Sequence, residues 1–398
     1  MLITKEFIDF VRDHINDDPC KLRLKTFKSA LFDTGFAVDQ IEARKKTRTK
    51  LPELNSNPGF IYPSVLSAEQ ATCEDVAKYK RNLFLDKYHT LCDLTGGLGV
   101  DTLLFSDVVS KVTYIERFEK YCDVAKYNFT LFNKQNINII NADCEEFINN
   151  ITESFDAFYI DPARRGESDR RLFAFADCEP DVLKLIPNLF TLSNDVWIKS
   201  SPMVDILQAI SELGYVCEIH VISVKNECKE LLFKLNKMCC GENPLIKCAD
   251  IYSEGCSVFE FHLNDERFMS DAQISTPLSY LYEPSAPILK AGAFKSIAAR
   301  YNLFKLHKNS HLYTSTEYMA NFMGRKFTIE DIIPFRSSNI GNIRKLYPFA
   351  NITVRNFPIN AETLRTKLKI SSGGDVYLFA TKCASNDNVI LVCRKAIF

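Results

Sequence analysis

The stretch Asp93-Leu-Thr-Gly-Gly-Leu-Gly99 combines residue types suited to a nucleotide-like ligand. Glycines at 96, 97 and 99 permit positive φ and let a ligand approach the backbone where a side chain would collide with it. Asp93 can accept a hydrogen bond from an ammonium or from water around a zwitterionic amino-acid moiety, and Thr95 and Asp101 flank the same turn. Glu116 closes Val112-Thr-Tyr-Ile-Glu116, about twenty residues beyond the turn, where an acid at a strand tip can accept both hydroxyls of a ribose. Asp143 closes Ile139-Ile-Asn-Ala-Asp143 and can accept from an adenine amino group. Phe158-Tyr-Ile-Asp161-Pro-Ala-Arg-Arg-Gly166 places a carboxylate before a proline. The proline restricts the backbone, so that Asp161 and the Pro162 carbonyl point into the crevice and can hold an amino group for in-line attack. Arg164 and Arg165 offer either phosphate contacts or ion pairs with Glu167 and Asp169.

These residues need a sheet to align them. Apolar runs at His89–Leu94, Val112–Glu116, Ile137–Ala142, Ala157–Asp161, Val196–Lys199, Cys217–Val224 and Leu231–Leu235 alternate with helical segments, as in a parallel sheet covered on both faces. The last two runs are separated only by Lys225-Asn-Glu-Cys-Lys-Glu230, whereas a parallel crossover takes about a dozen residues, so the seventh strand should run antiparallel. Seven strands with a reversed last one mark the methyltransferase variant of the doubly wound fold. Glu116 alone is equally compatible with a dinucleotide; the reversed strand and Asp143 narrow the expected cofactor to S-adenosylmethionine. Asp161 would then align a nucleophile with the methyl sulfonium.

The segments before and after differ in character. Thr4 to about Lys87 is helical in pattern, with Leu51-Pro-Glu-Leu-Asn-Ser-Asn-Pro-Gly59 expected to break regular structure. Ser67-Ala-Glu-Gln70 has capping-box spacing ahead of a helix running through Cys73 to Leu85. Beyond Tyr282-Glu-Pro-Ser-Ala-Pro287, the pattern predicts a helix over Ala286–Tyr301 and strands near Leu306 and Leu312–Thr314. A strand at Ile352–Phe357, a helix at Ala361–Leu368 capped by Asn360, and strands at Val376–Thr381 and Val389–Arg394 follow.

The formal net charge is −1, but it is segregated: +2 over residues 1–90, −12 over 91–270 and +9 over 271–398. A basic C-terminal part is suited to a polyanion, with Lys290, Lys295, Arg300, Lys305 and Lys308 on or just after one helix; a solvated basic face would show the same pattern. The fourteen cysteines are scattered, and Cys239, Cys240, Cys248 and Cys256 lack both a C-x-x-C pair and a histidine, so reduced thiols and no metal are expected. No signal-like N-terminus and no run of about eighteen apolar residues is present, which predicts a soluble cytoplasmic chain with no membrane partner.

The combination DLTGGLGVDT, YIER, NADCEEF and DPARR resembles class I S-adenosylmethionine-dependent methyltransferases of the bacterial group with a C-terminal THUMP-like domain. Tyr282–Gly292 and Leu364–Thr381 resemble that group's ferredoxin-like and THUMP-like parts. The resemblance implies an α/β fold: a doubly wound seven-stranded sheet with an antiparallel last strand, after a helical N-terminal domain and before small α+β domains. The expected boundaries are 1–88, 89–268, 269–325 (ferredoxin-like) and 326–398 (THUMP-like). It places Asp93, Gly96, Gly97 and Gly99 on the methionine-binding loop, Glu116 at the ribose, Asp143 at the adenine, and Asp161 with Pro162 at the acceptor, with Thr95 and Asp101 as further cofactor-binding candidates. Arg164, Arg165, Lys290 and Lys295 become candidate contacts to an RNA substrate, tRNA or rRNA. Exocyclic-amine methyltransferases often carry Asp/Asn-Pro-Pro and an aromatic that stacks on the base; here Pro-Ala-Arg follows Asp161, and Phe173, Phe175 or Trp197 could supply the stacking, a core position being the first expectation for each. A small-molecule or protein acceptor, or an RNA-binding protein without catalysis, remain the competing readings.

Overall fold

A computed structural model of the chain describes residues 3–25, 32–164, 175 and 178–396. Arg165, Glu167, Asp169 and Phe173 lie outside the described residues, and of Arg164 only the backbone is described. The chain divides into two compact units, residues 1–219 with 229–242, and residues 220–228 with 243–398.

In the first unit the apolar runs form strands Thr90–Asp93 (β1), Lys111–Glu116 (β2), Ile137–Asn141 (β3) and Ala157–Ile160 (β4). Two-residue strands Ala163–Arg164 (β5) and Cys178–Glu179 (β6) make a small antiparallel ladder. Asp195–Ser200 (β7), Val216–Val224 (β8) and Glu227–Asn236 (β9) follow, residues 220–228 of the last two being assigned to the second unit. The order β9-β7-β4-β1-β2-β3 is parallel from β7 to β3, and β9 alone of these runs antiparallel to its neighbour. Its reversal follows from the tight turn Lys225-Asn226, both residues left-handed at φ 50° and 64°. Aspartates cap the helices after the strands: Asp143 for Cys144–Asn150, Asp181 for Val182–Leu192 and Asp205 for Ile206–Leu213, each accepting a first-turn N–H that would otherwise be orphaned.

The helical segment ahead of β1 shares one core with this sheet, Leu51, Phe60, Tyr62, Ala68 and Ala77 packing with Leu98, Leu103, Tyr114 and Phe129. Two local expectations change here. Pro52–Ser56 forms a short helix with proline at its start, where a missing N–H costs nothing. The capping box belongs to Ser64, whose hydroxyl accepts Ser67 N while the Ser67 hydroxyl serves the Ser64 N–H; Ser67 is thus the third residue of helix Val65–Gln70, and the next helix, Glu74–Phe84, starts after Cys73.

In the second unit, Leu245–Tyr252 (β10) and Gly255–His262 (β11) form an antiparallel hairpin. A second sheet contains Tyr280–Pro284 (β12), Phe304–Lys305 (β13), Tyr313–Ser315 (β14), Gly324–Pro334 (β15), Asn351–Arg355 (β16), Val376–Lys382 (β17) and Asn388–Lys395 (β18), in the order β13-β14-β12-β15-β18-β17-β16. Alternation along β17 and β18 feeds two cores: Phe379, Leu391 and Cys393 into one, and Leu378, Ala380, Ile390 and Val392 into the other. Helix Ala361–Leu368, capped by Asn360, connects the parallel pair β16 and β17. The long helix expected over Ala286–Tyr301 is two short ones, because Gly292 adopts φ 73° and ends Ala286–Ala291 before Phe294–Arg300 begins.

Candidate active site

The glycine turn lies between β1 and helix Val100–Phe105, and its three glycines do different work. Gly97 and Gly99 take positive φ, 55° and 82°. Gly96 does not; a Cβ there would sit 2.1 Å from the Tyr114 ring, so this glycine is required by packing against β2 rather than by backbone conformation. Tyr114 also donates its hydroxyl to the Gly97 carbonyl at 2.6 Å, pinning the turn to the sheet. On Gly97 a Cβ would meet nothing nearer than 3.8 Å, which is the open approach a ligand needs.

A cavity of about 590 Å³ opens there, within the range of small-molecule sites. Asp93, Thr95, Gly96, Gly97, Gly99, Asp101, Glu116, Asp143, Asp161 and Pro162 all line it. The strand register explains the convergence, since Asp93 lies opposite Tyr114 on one side and Tyr159 on the other, bringing the carboxyl ends of β1, β2 and β4 level.

The carboxylates differ in what they have left to offer. Asp93 accepts from Thr95 N at 3.1 Å and from the Thr102 hydroxyl at 2.5 Å, and burial outweighs both bonds and pushes its carboxyl up to about 7. Asp101 Oδ2 accepts from Thr72, Lys80 and Tyr159 at 2.8–2.9 Å, while its Oδ1 is buried with no hydrogen-bond partner. Glu116 accepts Gly97 N at 3.0 Å through one oxygen and Phe118 N at 2.8 Å through the other, and each oxygen keeps a second lone pair. Asp143 uses Oδ1 to cap its helix. The half-exposed ring of Phe118 lines the cavity beside them.

At the acceptor end, the Asp161 backbone N–H donates to the Thr95 hydroxyl at 2.7 Å, and Asp161 Oδ2 pairs with Lys199 Nζ at 2.6 Å. Lys199, Lys80, Thr72 and Glu230 escaped the sequence reading. The available signal was a lysine within the apolar strand Val196-Trp-Ile-Lys199 and a glutamate before Leu231-Leu-Phe, charges that a doubly covered sheet can bury only if they are paired.

Other candidates fall elsewhere. Lys290 and Lys295 belong to the second unit. Lys290 is partly buried, and Lys295 donates to the Met269 carbonyl and pairs with Asp271. Trp197 and Phe175 are core residues, Trp197 donating its Nε1 to the Tyr88 hydroxyl, so neither can stack on a base. All fourteen cysteines are free, and among the described residues no cluster of three His, Cys, Asp or Glu is placed to hold a metal. No helix among the described residues is long and apolar enough to cross a membrane.

Residues 280–322 match a ferredoxin-like domain family and residues 324–395 a THUMP domain-like family. Over the full length of both chains, the sequence is 34% identical to a protein of Porphyromonas gingivalis W83 assigned as a methyltransferase, whose crystal structure superimposes with a TM-score of 0.90. It is also 27% identical over 153 residues to an uncharacterized RNA methyltransferase of Mycoplasma mobile. That match spans 38% of this chain and 39% of the relative, so the chain covers about two fifths of the relative's length.

Proposed function

Because the chain belongs to the methyltransferase family of its full-length Porphyromonas relative, with C-terminal ferredoxin-like and THUMP-like domains, we propose that it transfers a methyl group from S-adenosylmethionine to a base amino group in RNA. The observation that carries this reading is the single cavity joining the glycine turn, Glu116, Asp143 and the Asp161-Pro162 edge.

The residues fit the cofactor. Asp101 Oδ1, buried and unpartnered, is an acceptor awaiting a donor such as the methionyl ammonium. Glu116 retains lone pairs for the ribose hydroxyls, Asp143 Oδ2 for the adenine amino group, and Phe118 an apolar face for the adenine ring. When bound, S-adenosylmethionine supplies a methyl on a sulfonium whose sulfur leaves without acid assistance. The protein's part is alignment. Asp161 Oδ1 and the Pro162 carbonyl accept the two N–H bonds of the acceptor amine, which turns its lone pair toward the methyl. Asp161 would take the proton that the acceptor nitrogen sheds on methylation.

RNA is favoured by the basic C-terminal region, though not through the stripe read from sequence. Arg300 and Lys305 donate to the carbonyls of Glu260 and Lys308, as Lys295 does to Met269. Exposed Arg344 and Lys345 on helix Ser337–Leu346, with Lys367 and Lys369 at the end of the helix packed against it, offer a freer basic surface.

Titration calorimetry tests the cofactor: the wild type should bind S-adenosylmethionine, and Gly97→Arg, which fills the open side of the turn, should lose it. Unchanged binding in that variant overturns the site. For the acceptor, purified protein should label RNA from cells lacking the gene more than RNA from cells that have it. Equal labelling counts against RNA and leaves the cofactor site standing.

A further inference from the structure

We infer that Lys199 is the positioning residue for Asp161, and that Thr72 and Glu230 tie it to Asp101, so that the acceptor and cofactor ends of the cavity are set by one buried charge cluster. The inference rests on the reading of Asp161 as the group that holds the acceptor.

Lys199 sits at the end of β7, and the parallel register Ile160 opposite Ile198 puts it beside Asp161 one step further on. Its side chain is 11% exposed, and its ammonium reaches Asp161 Oδ2 at 2.6 Å, the Thr72 hydroxyl at 3.2 Å and Glu230 Oε2 at 3.9 Å. An ammonium taken from water costs several kcal/mol unless partners replace the solvent. Here burial works against the charge, but Asp161, Glu230 and Asp101 outweigh it and raise the Lys199 pKa. The residue is therefore a fixed cation with its donors aimed.

Two routes lead from Lys199 to the cofactor end. Thr72 accepts from Lys199 and donates to Asp101 Oδ2 at 2.8 Å. Glu230 lies between the two lysines, its other oxygen 3.0 Å from Lys80, which donates to Asp101 Oδ2 and the Tyr159 hydroxyl at 2.9 Å each. Glu230 comes from β9, so the reversed strand contributes its own carboxylate to the cluster. Asp161 is fixed at its backbone by Thr95 and at Oδ2 by Lys199, which leaves Oδ1 as its one oxygen directed by neither. Acceptor atoms at Oδ1 and the Pro162 carbonyl favour a nucleophile that donates hydrogen bonds, an amine or hydroxyl, over a ring carbon or an unprotonated ring nitrogen.

The test compares Lys199→Met with Lys199→Arg after thermal melts establish that both fold. Carboxyl-carbon NMR of Asp161, assigned with Asp161→Asn, needs no acceptor. At fixed pH its resonance should shift in Lys199→Met, which removes the ammonium 2.6 Å from Oδ2, and return toward the wild-type position in Lys199→Arg. By calorimetry, S-adenosylmethionine should weaken at least tenfold in Lys80→Met, which removes a direct donor to Asp101, and less in Lys199→Met, which reaches Asp101 only through Thr72 and Glu230. On RNA from cells lacking the gene, Lys199→Met should lose at least a hundredfold in kcat with KM little changed, and Lys199→Arg should recover at least tenfold of that. An Asp161 carboxyl resonance identical in wild type and Lys199→Met overturns the inference, as does full turnover in Lys199→Met. If the wild type labels no RNA, the acceptor reading fails while the carboxyl resonance still decides the role of Lys199.

Discussion

Asp93 and Asp101 lie within one turn of chain yet carry opposite electrostatics. Burial holds the Asp93 carboxyl up at about 7. At Asp101 burial acts in the same direction, but the ammoniums of Lys80 and Lys199 together outweigh it and hold the carboxyl below the usual range. A cationic ligand favours the ionised form of Asp93, which dominates only above its folded value, so binding below about pH 7 must expel a proton. Affinity for S-adenosylmethionine should therefore weaken as pH falls from 8 to 6, approaching tenfold per unit at the acid end, and calorimetry in buffers of different ionisation enthalpy should show proton release. S-adenosylhomocysteine, which keeps the ammonium but lacks the sulfonium charge, should show a shallower dependence; a slope unchanged in Asp93→Asn would exclude Asp93 as the source. At this scale the sequence displayed the motif residues because they are contiguous or close to strand tips. It did not display the division of labour, since the free acceptor at Asp101 and the committed oxygens of Asp93 depend on Thr72, Lys80 and Thr102, which three different segments provide. Likewise, Gly96 looks like Gly97 on paper and differs only because Tyr114 stands behind it.

Elements built on one strong period were legible, and elements whose period is interrupted were not. The five parallel strands and the β8–β9 reversal follow from continuous apolar runs and connection lengths. Strand β15 escaped because a bulge between Ile329 and Asp331 resets its alternation, and its outer half, Ile332–Pro334, reads as a loop ending in proline. Strand β10 escaped because Asp250 interrupts it; that carboxylate is fully buried and takes donors from Ser223 and from Asn226 N. Helix Ala361–Leu368 was legible from its cap, and the cap makes a stability prediction. Asn360 accepts Thr363 N at 2.8 Å, so Asn360→Ala should cost about 1 kcal/mol in urea unfolding, and Asn360→Asp nearly nothing. A loss equal for both would place the effect elsewhere than the cap.

For the whole molecule, a net charge of −1 conceals a basic C-terminal region, and that region yields a salt prediction. If Arg344, Lys345, Lys367 and Lys369 each neutralise a phosphate, replacing all four with Gln should lower the slope of log affinity for bulk tRNA against log salt by about 3. A slope unchanged from wild type would move RNA contact to another face. The second sheet carries a consequence of a different kind. Its ferredoxin-like and THUMP-like portions, residues 280–322 and 324–395, meet at β15, which hydrogen-bonds β12 on one side and β18 on the other. Two regions that match as separate families are thus one hydrogen-bonded fabric, sewn along a strand whose second neighbour lies some sixty residues downstream. On the ribosome, β15 must wait with one edge bare until β18 has emerged. A nascent chain stalled before that point would present an unpaired edge to the ribosome-associated chaperones, and a stop codon between β17 and β18 would remove the interior of the sheet rather than trim its border.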